Sequence, residues 1–269
     1  MFDFLTRAFT SAARVAEQIR ADHQDELADP PLSIDEKGWL SGHGVELFPS
    51  PRQNALATKD SHGPAPIGVV WHWTATGNGT GRACAKAAMK MPGPKSHVGS
   101  WHVLICRDGA ILQSIPFRRG AWHVGSKSAR GLRDVSPDAS RPAWRLGWPG
   151  RDLRGNKSLV GIEMECVGEV RSVGGKWMGW PFGREGRMGP VVPIHEVVTH
   201  DSKHYHLITA AQEIAARRIV RALVTEYDSM RPELLSLGHR DIDPERKTDP
   251  GPWFADVMLP RILAAVEDQ

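Results

Sequence analysis

Cysteine is scarce in this chain. Cys84, Cys106 and Cys166 are odd in number, far apart and never in a CxxC pair, which excludes a disulfide framework and a cysteine zinc site. They read as small buried hydrophobes of a protein made in a reducing compartment. No apolar run approaches the ~18 residues that span a bilayer, so no transmembrane segment is expected. Charge of one sign is lacking too: 34 Lys and Arg face 31 Asp and Glu, a formal +3. That balance argues no nucleic-acid partner, although it suits an anionic polymer as substrate. The 41% hydrophobic and 24% charged content excludes a disordered or fibrous chain, and no internal repeat is visible. Histidine and tryptophan, by contrast, are plentiful at twelve and ten. The first hints at metal or proton chemistry. The second suits surfaces that stack on sugar rings, although tryptophan as plain core is the more frequent case.

Along the 269 residues two units are expected, 1–32 and 33–269. Phe2, Leu5, Phe9, Ala12, Ala16 and Ile19 recur at steps of three and four, an amphipathic helix followed by an acidic linker. Asp3 and Arg7 interrupt any signal-peptide core, so cytoplasmic synthesis is expected. From Ser33 the pattern is α/β. The segments 67–74, 100–106, 111–117 and 158–166 read as strands, with Asp108-Gly109 turning the second into the third. Thr209 to Gln212 is a capping box opening a helix. Leu234 to Leu237 reads as a short strand, and Pro252 opens a terminal helix that Pro260 is expected to break, beginning its last segment. Stretches rich in Gly, Pro and charge, about 77–97, 126–157 and 168–206, read as long loop insertions.

Few residues carry obvious chemistry. His72 ends the most apolar strand, where open α/β sheets bind ligands. The segment 238–252 is almost wholly polar, which excludes it as a core element, and its prolines stiffen it. His239 and Asp249 from it, joined to His72, make two imidazoles and a carboxylate, a zinc set that leaves a fourth position open. Equally, the segment is a solvated loop with Asp249 paired to Arg246 or Lys247. His195-Glu196 to His200 mimics HExxH but is one residue too long. A helical step of five leaves its histidines about 140° apart, so this cluster reads as a loop with incidental metal affinity. Glu163 and Glu165 alternate onto one strand face, either a carboxylate pair at a cleft or an exposed surface.

These residues lie in blocks that, taken together, resemble the zinc-dependent N-acetylmuramoyl-L-alanine amidases of the type 2 family. The blocks run from GWL (38–40) and PSPR (49–52) through VVWHWTAT (69–76), 100–117 and AWHVG (121–125) to VGIEMEC (160–166) and GHRDIDPERKTDPGPWF (238–254). The resemblance implies a mixed central β-sheet flanked by helices, the fold shared with peptidoglycan recognition proteins. It implies Zn²⁺ on His72, His239 and Asp249, with Glu163 activating water and Lys247 stabilising the oxyanion. Trp101, where some members have tyrosine, Trp122 and His123 are implied near the substrate groove. Three functions follow as expectations: a lytic amidase acting on peptidoglycan, including a phage endolysin working at the cell wall; a cytoplasmic amidase recycling anhydromuropeptides; or a non-catalytic peptidoglycan-recognition module.

Overall fold

A computed structural model describes residues 30–90, 99–124, 155–181, 188–242 and 247–267. The expected amino-terminal helix and most of the 126–157 segment lie outside these residues. The principal strands are β1 (Val45–Leu47), β2 (Gly68–Trp73), β3 (Val103–Ile105), β4 (Ile111–Gln113) and β5 (Leu159–Met164), with helix α1 (Gly81–Met89) between β2 and β3. Strands β6 (Glu169–Val173), β7 (Lys176–Met178), β8 (Val191–Val192), β9 (Val197–His200) and β10 (Lys203–His206) follow. Helix α2 (Ala210–Glu226), strand β11 (Leu237–Gly238), the short helix α3 (His239–Ile242) and the terminal helix α4 (Leu259–Glu267) complete the order.

The central sheet has six strands in the order β11-β2-β5-β3-β4-β1. It is mixed: only β3 and β4 pair antiparallel, through the expected hairpin. Gly109 turns that hairpin at φ +85°, where a Cβ would also sit 3.0 Å from the Ala211 carbonyl oxygen. Parallel strands are covered on both faces, which is why β2 reads as a continuous apolar run. Val69, Trp71, Val160 and Ile162 face a core shared with Ile219, Val220 and Leu223 of α2 and Ile262 of α4. On the other face Leu104 and Leu112 pack with Ala85 of α1, while Val70 and Leu159 pack with Val124 and Leu237. Between these two smaller clusters stand His72 and Glu163.

Several expectations are corrected. The 77–97 segment contains α1, and 168–206 is a second sheet of five antiparallel strands, β8-β7-β6-β10-β9. Alternation in these strands is masked by histidine, glycine and charge, so composition alone suggested a loop. The His195–His206 cluster is accordingly a hairpin, and among its members His206 is buried against Glu196 at 2.9 Å. Ahead of β11, Pro232–Leu234 forms a 3₁₀ turn, so only Leu237–Gly238 is strand. Pro260 falls at the start of α4, the last helical segment, as expected. The five residues before α4, Phe254–Met258, are a π-helical stretch, and the proline's missing N–H falls where the ladder has already widened. The polar tail is also not excluded from the interior: His239, Ile242 and Asp249 are all buried.

Candidate functional site

In β2 and β5 the parallel register sets His72 directly beside Glu163. Partnered residues of neighbouring strands share a face at a strand spacing of about 4.8 Å. His239 opens α3 just after β11, itself the parallel neighbour of β2. Asp249 follows on the next turn, held by a hydrogen bond from the Arg240 N–H to its carbonyl. Three separate segments therefore converge on the same sheet edge.

Nδ1 of His72 lies 3.1 Å from Oδ2 of Asp249, and Nδ1 of His239 lies 3.2 Å from the same oxygen. One ligand atom from each of the three lies within 4.8 Å of the others, and all three residues are buried. Asp249 pairs with these imidazoles; Arg246, its alternative partner, lies outside the described residues. His200, Asp201 and Asp256 form a second such group, but it is largely exposed.

A cleft of about 420 Å³ opens over this cluster. His72, His239, Asp249, Glu163, Lys247, Trp101, Trp122 and His123 all line it, so the eight residues implied by the resemblance come to one place. Trp73, Thr74, Ala75, Gly99 and Ser100 also line it, and no sequence signal assigned any of them a role in the site. Ser100 organises one wall: its hydroxyl donates to the Arg52 carbonyl and accepts from the Trp122 N–H. The Arg52 guanidinium lies 5.3 Å from the Trp122 ring centroid, a cation–π contact.

Burial dominates the electrostatics. It pushes His72 down to about 4, against the opposing pull of Asp249. Glu163 is raised to about 8 by burial and then by the Asp249 charge, with Lys247 opposing. For Asp249 burial disfavours ionisation, yet its contacts with His239 and His72 outweigh this and hold it below the usual carboxylate range.

Glu165 fits neither reading of the strand, a carboxylate pair at a cleft or an exposed face. It sits beyond the end of β5, 2% exposed, and accepts from the N–H groups of Thr80, Gly81 and Arg107. It therefore caps α1, whose own Thr80 supplies no side-chain cap. His123 is likewise buried, with both ring nitrogens engaged inside the protein, by His72 and by the Leu159 carbonyl.

Residues 62–252, well over half of the chain, match the family described as N-acetylmuramoyl-L-alanine amidase. The chain belongs to this family. Among its relatives is the 1,6-anhydro-N-acetylmuramyl-L-alanine amidase AmpD of Citrobacter freundii, 29% identical over 58% of this chain and 52% of that protein. The Escherichia coli (strain K12) AmpD is 28% identical over 62% of this chain and 60% of that protein. The chain thus spans between half and two thirds of these relatives' lengths. A crystal structure of a selenomethionine AmpD derivative aligns over 85% of this chain and 98% of its own, with a TM-score of 0.49 and 23% identity. Among the described residues of this amidase-family chain, no helix is long and apolar enough to cross a membrane.

Proposed function

We propose that this chain is a zinc-dependent amidase that hydrolyses the bond between N-acetylmuramic acid and L-alanine. The observation that carries this reading is the convergence of His72, His239 and Asp249 beside Glu163 and Lys247 in one cleft. The catalytic unit is taken as 33–269 and 1–32 as a helix and linker, with Leu32 at the boundary packed onto the catalytic core.

The donor set fits zinc. Ligands held at ~2.0–2.1 Å from a tetrahedral ion lie ~3.3 Å from one another. The 3.1 and 3.2 Å separations within the cluster are close to such an edge. Two imidazoles and one carboxylate also leave a fourth position open. Zinc bound there supplies Lewis acidity, polarising the substrate carbonyl and making water more acidic.

The remaining chemistry falls to the chain. Glu163 takes a proton from the attacking water and returns it to the departing amine, a role suited to a carboxyl raised toward neutral pH. The Lys247 ammonium donates to the carbonyl oxygen as negative charge develops on it. Trp101 and Trp122, both half-buried in the cleft wall, offer flat faces to a sugar ring.

Polymeric peptidoglycan is the first substrate reading, with action at the cell wall. A soluble anhydromuropeptide handled in the cytoplasm is the second, favoured by the names of the Citrobacter freundii and Escherichia coli relatives. Incubating zinc-loaded protein with sacculi and anhydromuropeptide in competition, with mass spectrometry of products, separates the two. Free stem peptide from either supports the amidase. Intact substrate in both arms sinks it and leaves the recognition module.

A further inference from the structure

We propose that His123 is a positioning residue for the metal site: it holds the His72 imidazole in the tautomer whose Nδ1 is bare, and Gly161 exists to admit its ring. This deepens the zinc reading above and rests on it. The argument starts at Leu159, whose carbonyl oxygen lies 3.2 Å from His123 Nε2. A carbonyl only accepts, so Nε2 of His123 carries the proton. A neutral imidazole has one N–H, which leaves His123 Nδ1 as an acceptor. Its partner at 3.0 Å is Nε2 of His72, which must therefore donate. The only proton of a neutral His72 thus points away from the cluster. Its Nδ1 lone pair is left facing the Asp249 carboxylate at 3.1 Å, an arrangement that a cation between them relieves.

The support behind this contact is built in detail. Asn156 Oδ1 accepts from the backbone N–H of both His123 and Val124, at 2.8 and 2.9 Å, fixing where the ring leaves the chain. The two rings meet edge-on, 5.3 Å between centroids at 86°. Gly161 lies inside β5, where glycine weakens a strand and needs a reason. A Cβ there would stand 2.7 Å from Cγ and 2.8 Å from Nδ1 of His123, so only glycine lets the imidazole reach His72. With both ring nitrogens engaged within the protein, His123 has none to offer a substrate, the role the sequence resemblance implied.

The partner of a ligand histidine's outer nitrogen is generally worth 10–100-fold in metal affinity. The test measures zinc dissociation constants of the full chain by chelator competition. His123→Phe keeps a ring and removes the acceptor; Gly161→Ala keeps the imidazole and displaces it. Each is expected to weaken zinc binding about 10–100-fold. His123→Asn, whose amide oxygen takes the place of Nδ1, is expected to bind zinc more tightly than the phenylalanine variant. In metal-free wild type, ¹⁵N spectra are expected to show the His72 proton on Nε2. Unchanged zinc affinity in both the Phe and Ala variants overturns the proposal, as does a raised KM with zinc affinity intact. If wild type takes up no zinc, the metal reading fails on its own, and a His72 proton found on Nδ1 still overturns this inference. That spectrum also decides the matter if the variants do not fold.

Discussion

The two carboxylates of Val160 to Glu165 show how far one residue's surroundings set its role. Glu163 and Glu165 are two positions apart, yet one lines the cleft and the other closes the start of a helix. Glu163→Gln removes the acid–base group while keeping shape, and a turnover loss of ~10²–10⁴ is expected with zinc content unchanged. Lys247→Met should cost ~10²–10³ in kcat, as loss of an oxyanion donor does. Normal hydrolysis by either variant would remove that residue from its role. His72→Ala is expected to lose zinc outright, read by metal analysis of the purified protein.

Elements in this fold are held at their ends by side chains from elsewhere. Thr209 accepts from the Gln212 N–H and donates to the Arg107 carbonyl, tying the start of α2 to the strand that precedes the hairpin turn. Gln212 then reaches the carbonyls of Ile105 and Glu165. Thr209→Ala is expected to lower stability by about 1 kcal/mol in urea unfolding. Glu165→Ala, which strands three amide donors, should cost about 1–3 kcal/mol and leave zinc affinity as it was. A loss of zinc with no loss of stability would instead place Glu165 in the site.

For the molecule as a whole, the buried imidazoles set the response to acid. Burial holds His72 and His102 at about 4 and His123 well below its ordinary value. Between pH 6.5 and 4 the unfolded chain therefore binds protons that the metal-free folded chain does not, and stability falls as pH falls. Glu163, raised to about 8, acts in the opposite sense between 8 and 4.5, but it is one group against three. A lower unfolding midpoint at pH 5 than at pH 7 is expected for chelator-treated protein. Zinc at a hundred times its dissociation constant should add about 2.7 kcal/mol at pH 7, seen as a rise in Tm.

Much of this protein was legible along the chain. The apolar run of β2, the Asp108-Gly109 turn and the Thr209–Gln212 capping box are local signals, set by neighbours a few residues apart, and each formed where the sequence placed it. The motif blocks likewise named eight of the residues that line the cleft. Contacts across long stretches of chain were decided only on folding. His72 and Asp249 are 177 residues apart, and parallel pairing of β2 with β5 is what sets His72 beside Glu163. Nothing in a linear pattern encodes register between distant strands, so the sheet of 169–206, the capping by Glu165 and the turn of His123 toward His72 waited for tertiary packing to choose them.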